Sequence, residues 1–382
     1  MREPRRRLDQ EPPPIAAPEA VVTAVDAVVE RRTSRRSTRV FDFPRVRVSA
    51  EETDERGAAK ELAAWLVQCG YDDLFCVSSR HGVPLTEALS GVRGGVTPPP
   101  RADQEWASGL IPRIRASGAR VVVAVGGGRC LDAAKYAAAG LGTPVVAVPT
   151  QLSHDGICSP VAVLPNRSGM SQSLPAVFPS AVFFSLPTIR RAPARSARAG
   201  LGDLLSNPFA LRDWELAATR GRDTIDERAW HLSLESAQLV EPWLDGVPDA
   251  EAAGPRFLTL LAHALANSGL AMMCAGSSRP ASGAEHKISH AIDLRFGGRA
   301  RHGEQVAFAC IVSAALHGLD VAPVQRRLRR LGLPARADDL GLSRDEMTDV
   351  LLIAPSTRPG RFTVLEQAGL TRGAAERLVR SL

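Results

Sequence analysis

The chain has 382 residues, a net charge of +6 carried almost wholly by arginine, and 45% apolar residues. Its length exceeds one ordinary core and implies two domains, while 5% aromatic residues, not interleaved with the basic ones, argue against a base-stacking nucleic-acid platform. No run approaches the roughly 20 apolar residues of a membrane span, no apolar stretch follows the basic start to make a secretory signal, and six scattered cysteines without a Cys-x-x-Cys pair fit a reducing, cytoplasmic setting.

Residues 1–40 read as a flexible extension, with Arg5-Arg6-Arg7 and Pro12-Pro13-Pro14 before a short apolar patch, Ala20 to Val29. From about Val46 the pattern becomes α/β. Glu52 to Cys69 has helical spacing, and Leu74 to Val77 is a short apolar run expected to form a buried strand. A second helix is expected over Trp106 to Ala116. Arg120 to Val125 is a clear buried strand that enters Gly126-Gly127-Gly128 and then a helix from Leu131 to Ala139. Pro144 to Val148 is the next strand. Strands alternating with helices predict a parallel sheet covered on both faces. After about Leu186 only helical patterns follow: Ala194–Leu205, Leu211–Thr219, Arg228–Leu244, Arg256–Ala275 and Gly303–Leu319. The expected organisation is therefore an α/β dinucleotide-binding domain over residues 41–187 and an all-α domain over 188–382, with Pro187 and Pro193 marking the crossing.

The glycine triplet lies where a strand ends and a helix begins. Glycines there let the backbone approach a diphosphate, and the helix terminus offers free N–H groups and partial positive charge. The spacing is not Gly-x-Gly-x-x-Gly, so the ordinary Rossmann fingerprint is absent. Asp132 and Lys135 extend the pattern to Gly-Gly-Gly-x-x-x-Asp-x-x-Lys, and Val148-Pro149-Thr150-Gln151-Leu152-Ser153-His154-Asp155-Gly156 follows. The run Ser153-His154-Asp155 is not a hydrolytic triad, because triads converge from separate segments.

A metal that polarises a carbonyl needs about three protein ligands and an open position. Asp203, His286 and His302 each lie on a different segment of the helical half and can converge. His290, four residues after His286, can share its helix face, and the residue types alone leave it open as a ligand.

Together these segments resemble the dehydroquinate synthase-like and iron-dependent alcohol dehydrogenase superfamily. Asp213-Trp214-Glu215-Leu216, Gly276 to His286 and Arg358 to Leu365, with Ser153-His154-Asp155-Gly156, are similar to glycerol-1-phosphate dehydrogenases in particular. The resemblance implies an α/β nucleotide-binding domain followed by a helical domain. It also implies reduction of dihydroxyacetone phosphate to sn-glycerol 1-phosphate with NAD(P)H and one divalent metal, usually zinc, with iron or nickel as alternatives. By position it assigns Gly126, Gly127, Gly128, Asp132, Thr150 and Ser153 to the cofactor. It turns Asp155 toward the substrate and makes Asp203, His286 and His302 the ligands, which leaves His290 behind them or in the substrate pocket. Asp155 and His290 are then the candidates for proton delivery. Arg279 is the candidate for the substrate phosphate, with Arg358 and Arg361 as alternatives. Ser78, Ser79 and Arg80, at the end of an early strand that lacks an acid, would hold the 2′-phosphate of NADPH. Only three lysines are present, which speaks against a sugar-phosphate cyclase on the same scaffold. Departures from the family pattern are Asn207-Pro208 where a lysine is usual, Gln151 and Cys158 at positions normally small, and Ser356 where a lysine is common. The expected partners are a small phosphorylated ketone and further copies of the chain.

Overall fold

Six consecutive residues, Val121 to Gly126, are completely buried and mostly β-branched, and they form the central strand β4. β-Branched side chains pack well on a pleated surface, and burial on both faces removes the usual alternation of polar and apolar residues. The sheet is six-stranded and parallel in the order β1-β8-β5-β4-β2-β3. Its other strands are β1 (Arg45–Val48), β2 (Leu74–Ser78), β3 (Val92–Val96), β5 (Val145–Pro149) and β8 (Ala181–Phe184), while β6 (Val161–Pro165) and β7 (Ser171–Pro175) form a separate antiparallel hairpin. The computed structural model describes residues 44–382 apart from 51, 100, 101, 168, 170 and 248–253. The expectation for residues 1–40 lies outside them.

The two faces of β4 serve two apolar clusters. Val121, Val123 and Val125 meet Leu62, Trp65 and Leu66 of helix α1 (Glu55–Gln68). Val122 and Ala124 face the other way, toward α3 (Gln104–Ser117) and α4 (Gly128–Ala139), through Leu110, Ile114 and Ala134. Helix α2 (Val83–Thr86) is a single turn beside β2. Each such buried Val or Leu contributes about 1.5–3 kcal/mol.

Strands stop at Phe184, and helices follow: α5 (Leu186–Arg190), α6 (Ala194–Leu204), α7 (Asn207–Thr219), α8 (Glu227–Leu239), α9 (Pro255–Ala275), α10 (Ala284–Phe296), α11 (His302–Leu316), α12 (Ala322–Arg330), α13 (Arg344–Ile353), α14 (Val364–Ala368) and α15 (Arg372–Ser381). The apolar cluster nevertheless runs through this change, joining Val182 and Phe184 of β8 to Leu261 and Leu265 of α9 and Phe308 of α11. Helix α9 is long and apolar enough by composition to cross a membrane, but 89% of its most apolar window is buried by the surrounding protein, as befits a core helix.

The strand order positions the site. From β2 the chain moves outward to β3, returns to β4 beside β2, and continues to β5 on the other side. The carboxyl ends of β2 and β4 therefore flank a topological switch point, where open α/β sheets bind ligands. Ser78 ends β2 and Gly126 ends β4.

Candidate metal and cofactor site

Three helices bring the expected ligands together. Asp203 ends α6, His286 lies in the first turn of α10, and His302 opens α11. One ligand atom from each lies within 4.8 Å of the other two. Asp203 Oδ1 stands 3.6 Å from His286 Nε2 and 3.7 Å from His302 Nε2, against roughly 3.3 Å for two ligands of a tetrahedral zinc. Glycines make this convergence possible. A Cβ at Gly200 would lie 2.6 Å from the Leu152 carbonyl oxygen, and one at Gly202 would lie 2.7 Å from that of Gly303. Only bare backbone lets α6 lie this close to α11 and to the loop carrying Asp155.

Both imidazoles are held from behind. His286 Nδ1 is 3.1 Å from Glu285 Oε1, a buried carboxylate that also accepts from the Gly283 amide. His302 Nδ1 is 3.2 Å from Ser289 Oγ, which accepts from Gln305 Nε2. With Nδ1 protonated against these acceptors, each Nε2 turns a lone pair toward Asp203. Asp203 Oδ2 accepts from the Asp155 amide at 2.9 Å, whereas Oδ1 is buried with no partner among the described residues. Burial pushes Asp203 up to about 7 and His286 well below its ordinary value. An orphaned carboxylate oxygen facing two bare imidazole nitrogens in a desolvated pocket fits a divalent cation.

The neighbouring cavity, of about 340 Å³, is lined by His286 and His302 together with Gly128 of the glycine turn, Asp155, His290 and Arg358. Asp155 Oδ2 accepts from Ser268 Oγ at 2.8 Å, and burial followed by the Asp203 charge pushes its carboxyl up to about 8. His290 lies with its ring centroid 6.0 Å from that of His302, and burial pushes it down to about 3. Asn207 is buried behind Asp155, its Nδ2 reaching Ser236 Oγ at 2.8 Å and Ser268 Oγ at 3.2 Å.

Gly127 is the N-cap of α4, and Gly128 opens the helix beside the cavity. A Cβ at Gly126 would lie 2.6 Å from that of Cys130, so this position admits no side chain. Thr150 follows the adjoining end of β5, its amide donating to the Gly126 carbonyl at 3.0 Å, and Ser153 is buried in the same loop. Across the switch point Arg80 is exposed, in a short turn after β2.

Three expectations are redirected. Arg279 does not line the cavity: its Nε donates to Asp223 at 2.6 Å and its Nη1 to the Phe362 carbonyl at 2.7 Å. Of the three candidate arginines the one that lines the cavity is Arg358, which donates to Ser278 Oγ at 2.6 Å; Arg129, beside the glycine turn, lines it as well. Lys287, donating to the Arg361 carbonyl at 2.9 Å and pairing with Glu366, ties that segment to α10. Asp132 edges the cavity, but its carboxylate pairs with Lys135 at 3.0 Å and accepts from the Val163 amide at 3.0 Å, which braces the β6–β7 hairpin rather than facing a cofactor. Ser78 Oγ donates to the Ser79 carbonyl at 3.1 Å, so the buried hydroxyl without a partner among the described residues is that of Ser79.

Fold and site together define a metal-binding dehydrogenase scaffold, and residues 77–193 match the family model described as iron-containing alcohol dehydrogenase. Solved structures agree in fold. A probable glycerol dehydrogenase from Sinorhizobium meliloti 1021 superposes with a TM-score of 0.72 at 24% identity, covering 90% of this chain and 98% of its own. Sulfoacetaldehyde reductase from Bifidobacterium kashiwanohense, solved with NAD+, gives 0.66 at 18% identity, covering 90% and 99%. The chain is 42% identical over 283 residues to the glycerol-1-phosphate dehydrogenase [NAD(P)+] of Hyperthermus butylicus, which is 73% of this chain and 79% of that one. It is 40% identical over 279 residues to that of Thermococcus kodakarensis, 73% and 78%. The chain belongs to the glycerol-1-phosphate dehydrogenase family.

Proposed function

We propose that this chain reduces dihydroxyacetone phosphate to sn-glycerol 1-phosphate with NADH or NADPH, and that Asp203, His286 and His302 hold a divalent metal, zinc in our reading. The observation that carries the proposal is the unpartnered Asp203 Oδ1 set against two bare imidazole nitrogens whose residues line the cavity that reaches Gly128. When bound, the cation supplies Lewis-acid stabilisation of negative charge on a carbonyl oxygen. Arg358 binds the substrate phosphate, helped by Ser278 and Ser282, whose hydroxyls border the same cavity. Asp155, with Oδ2 held by Ser268, presents Oδ1 to a substrate hydroxyl. The glycine turn and Thr150 keep the nicotinamide on the β4–β5 side of the cavity. The proton that completes the product alcohol arrives from the wall carrying Asp155 and His290.

The test is oxidation of NADH and NADPH by the purified protein with dihydroxyacetone phosphate, before chelation, after it, and after zinc, iron or nickel is restored. Ketone-dependent oxidation that disappears with the metal and returns with it supports the proposal. No ketone-dependent oxidation with either nucleotide under any metal would refute it.

A further inference from the structure

The loop between β5 and the short turn at Asp155–Cys158 carries two side chains that end on the glycine turn. Gln151 Nε2 is 3.1 Å from where a Cβ of Gly127 would sit, and His154 Nε2 is 2.7 Å from where a Cβ of Gly128 would sit. Both occupy the space that the missing side chains leave. Each is also fixed at its other polar atom. Gln151 Oε1 accepts from Ser196 Oγ at 3.1 Å, and His154 Nδ1 accepts from the Gly156 amide at 3.1 Å. An imidazole that accepts at Nδ1 carries its hydrogen on Nε2. An amide whose oxygen is engaged turns its NH2 outward. Neither Nε2 has a hydrogen-bond partner among the described residues, although every other polar atom of these two side chains does.

We infer that Gln151 and His154 are a pair of preset side-chain donors to the cofactor diphosphate, added to the backbone N–H groups of the turn. The inference rests on the cofactor reading above. The physical logic is that of an anion at a helix terminus. The α4 amides offer donors along the helix axis, and two lateral N–H groups close the sides of the same cradle. A diphosphate also selects the assigned amide orientation, because the reverse would place Gln151 Oε1 against its negative charge. The sequence showed Gln151 only as a large residue at a normally small position. The geometry turns that departure into a function.

The experiment is equilibrium binding of NADPH and of ADP-ribose, which keeps the diphosphate and lacks the nicotinamide, to the metal-loaded protein. A hydrogen bond to a charged group is lost in Gln151→Ala, which should raise the dissociation constant about ten- to a hundredfold for both probes. Gln151→Glu, which puts a carboxylate where the donor was, should raise it further. His154→Phe should weaken both probes as Gln151→Ala does, while melting temperature and metal content report that the site is intact. Equal or tighter binding of ADP-ribose by Gln151→Ala overturns the inference and leaves the dehydrogenase reading standing. Failure of the unmodified protein to bind either probe overturns both.

Discussion

Gly303 is the residue on which the ligand geometry most depends, and a single methyl group tests it. It follows His302 in the first turn of α11, where a Cβ would lie 1.9 Å from the Ala199 carbonyl oxygen, 2.7 Å from the carbonyl carbon and 3.2 Å from the Ser153 carbonyl oxygen. All three obstacles are backbone, so no rotamer change relieves them. An ordinary carbon–oxygen contact of about 3.3 Å requires α6 and α11 to part by roughly 1.4 Å. Asp203 rides on α6 and His302 on α11, only 3.7 Å apart, whereas metal bonds tolerate about 0.2 Å. Gly303→Ala should therefore cost about 1–3 kcal/mol in overpacking and weaken metal binding by about a hundredfold or more. The assay is metal content after exhaustive dialysis, with thermal melting alongside. Gly109→Ala is the contrast: nothing lies within 4 Å of that Cβ on α3, and its helical backbone accepts alanine, so stability should rise by about 0.4–1 kcal/mol with metal retained. Full metal content and unchanged melting in Gly303→Ala would refute the close-approach argument.

Gly127→Val should raise the NADPH dissociation constant strongly while leaving metal in place, because the nearest atom it displaces is the end of the Gln151 side chain and the backbone, at φ −77°, accepts valine; an unchanged titration would remove the turn from the site. The unmodified protein should prefer NADPH to NADH, and Arg80→Ala should narrow that preference by about ten- to a hundredfold in the ratio of specificity constants; a ratio indifferent to Arg80 would contradict the 2′-phosphate assignment. Asp213 accepts from the Ala284 amide at 2.6 Å and the Val364 amide at 2.7 Å and lies 3.1 Å from His317 Nε2. Asp213→Ala orphans two buried amides at about 1–3 kcal/mol each, which should lower the melting temperature by about 3–8 °C in a chain of this length; unchanged melting would show that the α10 terminus does not depend on it.

Where local chemistry decides structure, the sequence was readable. The β4–glycine–α4 unit follows from a β-branched run ending in glycines, whereas residue types left His290 open as a ligand and the family resemblance chose Asp203, His286 and His302. Strand β3 was missed because Val92-Arg93-Gly94-Gly95-Val96 is a half-exposed edge strand without an apolar pattern. The β6–β7 hairpin was missed because β6 is a short apolar run, Val-Ala-Val-Leu-Pro, with no polar residues to mark its alternation, and β7, Ser-Gln-Ser-Leu-Pro, is almost wholly exposed. Arg279 and Arg358 look equivalent in sequence. What separates them is Asp223, which lies 56 positions from Arg279 and claims it. Asp132 was read as facing the cofactor although Lys135 stands one helical turn away, and that i,i+3 pairing settles its direction. The strands were missed for want of a local pattern, and the arginine for a partner distant in sequence.

The central claim is that Asp203, His286 and His302, and not His290, hold the metal on which reduction depends. The direct measurement is metal content together with dihydroxyacetone phosphate-dependent NADPH oxidation in His286→Ala, His302→Ala and His290→Ala. The account predicts that the first two lose the metal and fall by orders of magnitude in turnover, because a two-ligand remnant holds metal poorly, while His290→Ala keeps its metal. Metal retained in His302→Ala and lost in His290→Ala would contradict it.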